Sequence, residues 1–494
     1  MTAVMMGSDS DTIVREALAA LDTPRAASMI EPLQRAMRAS PADFRPWHLH
    51  GLIQRQYDRR ELAIPSLERA LQLAPTNARI AHGLARTLFE AGLPSVDAYA
   101  RALQIAPGDG EIIIGMAAAF LAAGQGESAI AGLRQIVARS PQWVIGQKLL
   151  SDLRWANGER EGFTDNFDAA LAAHPTDFAL RRDQILSLLH AEHWPRLIAV
   201  IAEGRRAIGK HRLFDVNEAI ALDEMGEDGR AGAMFEALGE IEDSSVAIRY
   251  IRHLLRTGKT DAAARRIEPW LTHADARHFW PYASLAWRTL GDERWKWLEG
   301  DARFTGVYDI ADRLPSLDRL AQKLRALHTT LGQPLEQSVR GGTQTDGNLF
   351  HHIDPDIVAM REAIRSVVAE HVAGLPKHDE RHPLLGPKRS PIEFSGAWSV
   401  RLTSGGRHSD HVHPMGWISS ALYIALPDDL GEDRAGYLTL GGPQPKLGFT
   451  GEPYAMIEPK PGRLALFPST MWHGTRPFAD GERLTVAFDV AVLE

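Results

Sequence analysis

Four histidines and one arginine near the end of the chain have the types and spacing for metal chemistry. His408, His411 and His413 lie in GGRHSDHVHPMGW, His473 stands alone in STMWHGTRPF, and Arg483 follows ten residues later in GERLTVAFD. In an extended chain residues i and i+2 face the same side. His411 and His413 can therefore project together, and a distant strand can bring His473 opposite them. Two near-adjacent ligands and one remote ligand hold a metal by one face and leave its other positions open. The same loop contains a rival, because His408 and Asp410 spell His-x-Asp and could join His473 instead. A cluster of solvated loop histidines is the plain alternative. The apolar strand around His473, the barrel-like run of strands and the basic residue beyond favour the metal.

These residues need strands to position them. From Phe394 onward the hydrophobic period changes from helical to alternating. SGAWSVRLT, WISSALYIALP, GYLTLGG, GRLALFP, MWHGTRPF and RLTVAFDVAVL read as short strands separated by glycine, proline and aspartate. Six strands in about 100 residues predict a sandwich or jelly-roll barrel. Upstream, DRLAQKLRALHTTL and DIVAMREAIRSVVAEHVAGL read as helices, and QSVRGGTQTDGNLF between them as a polar loop that could close over the site. Arg340 in that loop is a candidate for contacting substrate. Trp398, Trp417 and Trp472 read as core residues.

The N-terminal part is a repeat array. Pro41, Pro75, Pro107, Pro141 and Pro175 recur at intervals of 32 to 34 residues, most of them after Ala-rich amphipathic segments such as LERALQLAP. Proline cannot continue a helix, so each marks a turn between helices. Trp47, Gly51, Ala63, Leu67, Ala70 and Pro75 match the pattern of the tetratricopeptide repeat, which this segment resembles, and Met116, Ala117, Ala129 and Leu133 take corresponding places in a later unit. Helical periodicity persists, with degenerate repeats, to about residue 300, giving about eight hairpins. Stacked hairpins of this kind make a superhelix with a concave face suited to a peptide or partner protein; support or dimerisation of the catalytic part is the alternative. Gly258-Lys259-Thr260 imitates the end of a phosphate-binding loop, but His253 stands where the first glycine is required, and a helix-end glycine is the reading adopted.

Length and composition set the frame. A chain of 494 residues calls for more than one core, and 44% hydrophobic with 24% charged residues is ordinary globular composition. The absence of cysteine excludes disulfides, cysteine nucleophiles, iron–sulfur clusters and thiolate zinc. A formal charge of −8 argues against nucleic acid as the main partner. Neither a signal peptide nor a membrane span is read, so a cytoplasmic protein is expected.

The stretch from Leu335 to Val492 resembles the 2-oxoglutarate- and iron(II)-dependent oxygenases that carry tetratricopeptide repeats. QSVRGGTQT, WSVRL, HVHPMGWISSALYIALP, PGRLALFPSTMWHGTRPF and RLTVAFDV carry the likeness, which covers about a third of the chain. The tandem arrangement is also similar to that of the aspartyl/asparaginyl β-hydroxylases, whose metal motif differs. The resemblance implies Fe(II) on His411 and His473, with His413 where the commoner His-x-Asp motif has its carboxylate. His413 is then either a third ligand or a support for a two-histidine site. Arg483 and Thr485 form an Arg-x-Thr similar to the Arg-x-Ser that binds the distal carboxylate of 2-oxoglutarate; a guanidinium and an i+2 hydroxyl suit that task. Tyr423 and Ser420 are further candidate donors to the cosubstrate.

The expected fold is α+β: residues 1–300 an all-α tetratricopeptide-like superhelix, 301–393 a connector with supporting helices, and 394–494 a double-stranded β-helix (jelly-roll) oxygenase core. The expected activity is hydroxylation of a protein or peptide side chain recruited on the concave repeat surface. A small-molecule oxygenase, a non-catalytic scaffold with a silent barrel, and a cupin-like metal enzyme needing no 2-oxoglutarate are the rivals. No membrane association is expected; a homodimer is compatible with the repeats.

Overall fold

The first helices of the successive hairpins begin at Phe44, Ala78, Gly110, Val144, Phe178, Arg212, Ser244 and Ala276, in a computed structural model that describes residues 2–333, 335 and 337–493. The 32- to 34-residue period therefore continues where the sequence pattern degenerates. Each proline of the series lies in the turn ahead of such a helix, and an Asx residue two positions later caps most of them. The side chains of Asp43, Asn77, Asp109 and Asp177 all accept from first-turn backbone N–H groups. Gly51 fits because of close approach: a Cβ there would sit 2.6 Å from Leu67 Cγ. Gly258, at φ +72°, is a helix-end glycine between Ser244–Arg256 and Thr260–Ile267. Among the described residues no helix is long and apolar enough to cross a membrane.

The chain forms two compact units, residues 1–132 with 346–358, and residues 133–345 with 359–494. In the first, helices Phe44–Gln56, Arg60–Leu73, Ala78–Glu90 and Val96–Ile105 pack through Leu67, Ile80, Ala85, Tyr99 and Ala102.

The second unit holds the later hairpins and all the strands: β1 (Gly306–Asp309), β2 (Val339–Gln344), β3 (Phe394–His408), β4 (Gly416–Ala425), β5 (Leu438–Leu440), β6 (Ala455–Ile457), β7 (Arg463–Pro468), β8 (His473–Thr475) and β9 (Glu482–Ala491). They make a six-stranded antiparallel sheet, β1-β7-β4-β9-β3-β2, and a three-stranded sheet, β6-β5-β8. All six strands read from the sequence are present. The segment QSVRGGTQT is a correction: much of it is β2, paired with β3 through Arg340↔Arg407 and Gln344↔Val400, because a bulge between Arg340 and Gly342 lets a glycine-rich, weakly patterned segment join an edge. The connector likewise hides β1, paired with β7.

Helices and sheets share one core. Trp472 and Leu447 from the sheet domain are buried with Phe235, Ile251, Phe279 and Trp287 from the hairpins, and Val412 packs against the same cluster. Trp472 donates to Pro281 O at 3.1 Å, and Trp417 to Leu384 O at 2.8 Å, so both are structural indoles.

Candidate metal centre

Residues 411–413 run antiparallel to 469–473. His411 and His473 exchange both backbone hydrogen bonds, at 2.9 and 3.0 Å, and His413 N–H donates to Ser469 O at 2.8 Å. His411 and His473 are thus direct cross-strand neighbours, and His413 follows two residues later on the same face. One ring nitrogen from each of the three lies within 4.8 Å of the others, and among the described residues this is the one group of histidine or carboxylate ligands able to hold a metal ion.

The Nδ1 atoms are already committed. His411 Nδ1 lies 2.8 Å from Ser409 O, His473 Nδ1 2.9 Å from Met471 O, and His413 Nδ1 2.8 Å from Asp489 Oδ2. Each of these acceptors fixes the tautomer with the proton on Nδ1, leaving the Nε2 lone pair for a metal. Burial, with the neighbouring histidines, holds His411 and His473 well below the usual imidazole range, so both rings are neutral. The donor set fits a metal: three imidazole nitrogens converging from neighbouring segments.

His408 and Asp410 stand apart from this group. His408 lines the same cavity, its ring 6.0 Å from that of His411, with Nδ1 3.0 Å from Ser338 Oγ. Burial pushes its pKa down to about 3. Asp410 sits at the bend before His411 and is not among the converging ligands. Its Oδ1 accepts from Thr439 Oγ1 at 3.4 Å and backs onto Gly474, where a Cβ would come within 2.4 Å.

On β9, Arg483, Thr485 and Ala487 alternate onto the cavity face, followed by Asp489. Arg483 is 1% exposed. Its Nη1 donates to Gly436 O at 2.8 Å, its Cζ lies 5.0 Å from the centre of the Tyr423 ring, and its Nε has no partner. Among the described residues no carboxylate pairs with it, and burial lowers its pKa accordingly. Tyr423, opposite Thr485 in the register, also buries a hydroxyl without a partner. Tyr423 is not in the cavity wall but lies against Arg483, and a buried cation left without a counter-ion in that wall fits an anionic ligand. Ser420 lines the cavity, but its hydroxyl both donates to Phe488 O and accepts from Phe488 N. Arg340 is not in the cavity wall: its guanidinium reaches Glu192 at 3.1 Å and the carbonyls of Gln337 and Val339. Sequence reading missed Trp398 and Gln344 as wall residues and Asp489 as the partner of His413. For Asp489 the signal was the lone acid on the inward period of β9, after Arg483, Thr485 and Ala487.

Comparison with known proteins gives two family matches. Residues 396–489 match the family described as "Putative 2OG-Fe(II) oxygenase", and residues 96–153 match the tetratricopeptide repeat. No curated protein matches the chain. Similar solved structures include a tetratricopeptide repeat protein from Parabacteroides merdae, at 18% identity and TM-score 0.32 over 49% of this chain and 98% of that one. Another is YrrB, described as a TPR protein with an unusual peptide-binding site, at 14% identity and TM-score 0.27 over 37% of this chain and 96% of that one. The chain thus carries a segment matching the tetratricopeptide repeat and, after it, a segment matching the "Putative 2OG-Fe(II) oxygenase" family.

Proposed function

We propose that this protein is an iron(II)- and 2-oxoglutarate-dependent oxygenase that hydroxylates a protein or peptide side chain, with its two sheets acting as a double-stranded β-helix. The observation that carries the reading is a buried arginine without a counter-ion in the same cavity as three converging histidines. His411, His413 and His473 would hold iron(II), which with 2-oxoglutarate and dioxygen as the oxidant would supply the oxidative decarboxylation, to succinate and carbon dioxide, that drives C–H hydroxylation.

The chain's own residues divide the remaining work. His411, His413 and His473 present Nε2 from one side and leave the opposite side open. Arg483 binds the distal carboxylate of the cosubstrate, with Thr485 and Tyr423 as hydroxyl donors at its side. Trp398, Leu438 and Phe467 keep the cavity walls apolar and water out. Ser420, with its hydroxyl engaged by Phe488, holds strands together and is not assigned to the cosubstrate. The repeats supply the protein or peptide preference, since arrays of helical hairpins bind extended chains.

The test is anaerobic titration of the iron(II)-loaded protein with 2-oxoglutarate, following the visible charge-transfer band of the chelate. The band is expected in the wild-type protein. Arg483→Ala should weaken 2-oxoglutarate binding by at least about tenfold, since a charge-assisted pair contributes about 1.5–3 kcal/mol. Iron loading without a band would overturn the reading. For the substrate class, succinate release should accelerate with protein-derived peptides; acceleration by free amino acids alone would count against side-chain hydroxylation.

A further inference from the structure

The three histidines are not backed alike. His411 and His473 each place Nδ1 against a backbone carbonyl two residues back in their own segment, Ser409 O and Met471 O. His413 alone places Nδ1 against a carboxylate, 2.9 and 2.8 Å from the two oxygens of Asp489. That carboxylate is itself fixed. It sits opposite Ser419 in the β4–β9 register and accepts from Ser419 Oγ at 2.6 Å, with Ser469 Oγ 2.9 Å behind. Its side chain is 14% exposed, and among the described residues no lysine or arginine pairs with it. Asp489 is a largely buried carboxylate whose nearest partner ring is the imidazole of His413.

We infer that Asp489 is the positioning residue that supplies the centre's negative charge through His413: the carboxylate that the commoner His-x-Asp arrangement places on the metal stands here one imidazole further out. This rests on the metal-site reading above and says which ligand is the strong one. A carboxylate accepting from Nδ1–H makes Nε2 a better donor than a carbonyl does, and such partners typically contribute a factor of about 10–100 in metal affinity. His413 is accordingly a ligand in its own right, and its place cannot be taken by a carboxylate while Asp489 remains. His413→Asp would set two carboxylates, both acceptors, against each other where one hydrogen bond now stands, and leave neither with a donor. Changing Asp489 to asparagine as well removes that conflict and offers an amide donor to the introduced carboxylate.

The experiment measures Fe(II) affinity anaerobically, by competition with a chromogenic chelator, and the position of the 2-oxoglutarate chelate band. It compares the wild-type protein, Asp489→Asn, His413→Asp and the double variant His413→Asp/Asp489→Asn, with the thermal midpoint of each metal-free protein as a folding control. Asp489→Asn should weaken Fe(II) binding about 10–100-fold and move the band to higher energy, since a poorer donor leaves the metal harder to oxidise. A merely structural Asp489 would move neither once folding is intact. His413→Asp should bind more weakly than wild type, and adding Asp489→Asn should recover at least about tenfold. Unchanged affinity in a folded Asp489→Asn protein, or a double variant no better than His413→Asp, overturns the inference while leaving the metal site standing. Should Asp489→Asn fail to fold, the comparison of His413→Asp with the double variant decides. A wild-type protein that binds no Fe(II) overturns the metal-site reading and this inference together.

Discussion

Arg483, Tyr423 and Thr485 show how much one residue's surroundings add to its type. An arginine near a strand start is commonplace, but at 1% exposure with Nε unpartnered it is a cation waiting for an anion. Tyr423 offers a clean test, because its hydroxyl is buried without a partner and burial raises its pKa further from neutrality. Tyr423→Phe should leave the metal-free protein as stable or more stable by about 1 kcal/mol, since an unsatisfied buried hydroxyl is a cost. The same substitution should weaken 2-oxoglutarate binding about three- to tenfold. Thermal unfolding and the band titration check the two halves, and a destabilised protein with unchanged affinity would place the hydroxyl in the fold, not the site.

At the scale of elements, the strand period delivers the site. Alternation along β9 puts Arg483, Thr485 and Ala487 on the cavity face and brings Asp489 to His413, and the pairing of 411–413 with 469–473 sets His473 beside His411. β2 closes one edge and is tied from behind by His328, whose Nδ1 lies 2.8 Å from Thr343 Oγ1 and whose Nε2 lies 3.1 Å from Ser399 Oγ. Burial, and then Arg401, lower the His328 pKa from the usual 6.5 to about 4. The folded state therefore resists a proton that the unfolded chain accepts. The contribution is complete above about pH 6.5, shrinks as pH falls towards 4, and amounts to up to about 3 kcal/mol. Urea midpoints measured across that window should fall less steeply for His328→Asn than for wild type. Parallel curves would show that His328 is not the group responsible.

For the second compact unit as a whole, the later hairpins are part of the machinery that holds the metal turn. Arg277, on helix Ala276–Leu290, donates to Pro414 O at 3.0 Å, Pro383 O at 3.2 Å and Gly416 O at 2.5 Å, bracketing the turn after His413. Arg252 reaches Gln444, which in turn donates to Asp410 O at 2.9 Å. With Val412, Leu447 and Trp472 packed into the hairpin core, a chain beginning at residue 301 would expose that core and free the turn. Such a fragment should be insoluble or bind Fe(II) at least about tenfold more weakly than the full chain, because lost support of ligands costs that much. A soluble fragment with full affinity would make the hairpins dispensable to the centre.

The sequence by itself determined the parts that follow from local chemistry. Proline and amphipathic period marked the early hairpins, alternation marked six strands, and the shared face of His411 and His413 was legible because i, i+2 spacing in extended backbone has one geometric meaning. It favoured His411/His413 over His408/Asp410 only through the family resemblance, since both strings satisfy the same spacing. Only tertiary structure brought His473 across from His411 and turned Asp410 away towards Gly474. β1 and β2 were hidden because edge strands of mixed composition take their pairing from the neighbours they meet. The role of Asp489 was hidden for a similar reason: a hydrogen bond spanning 76 residues exists only once β9 lies beside β4.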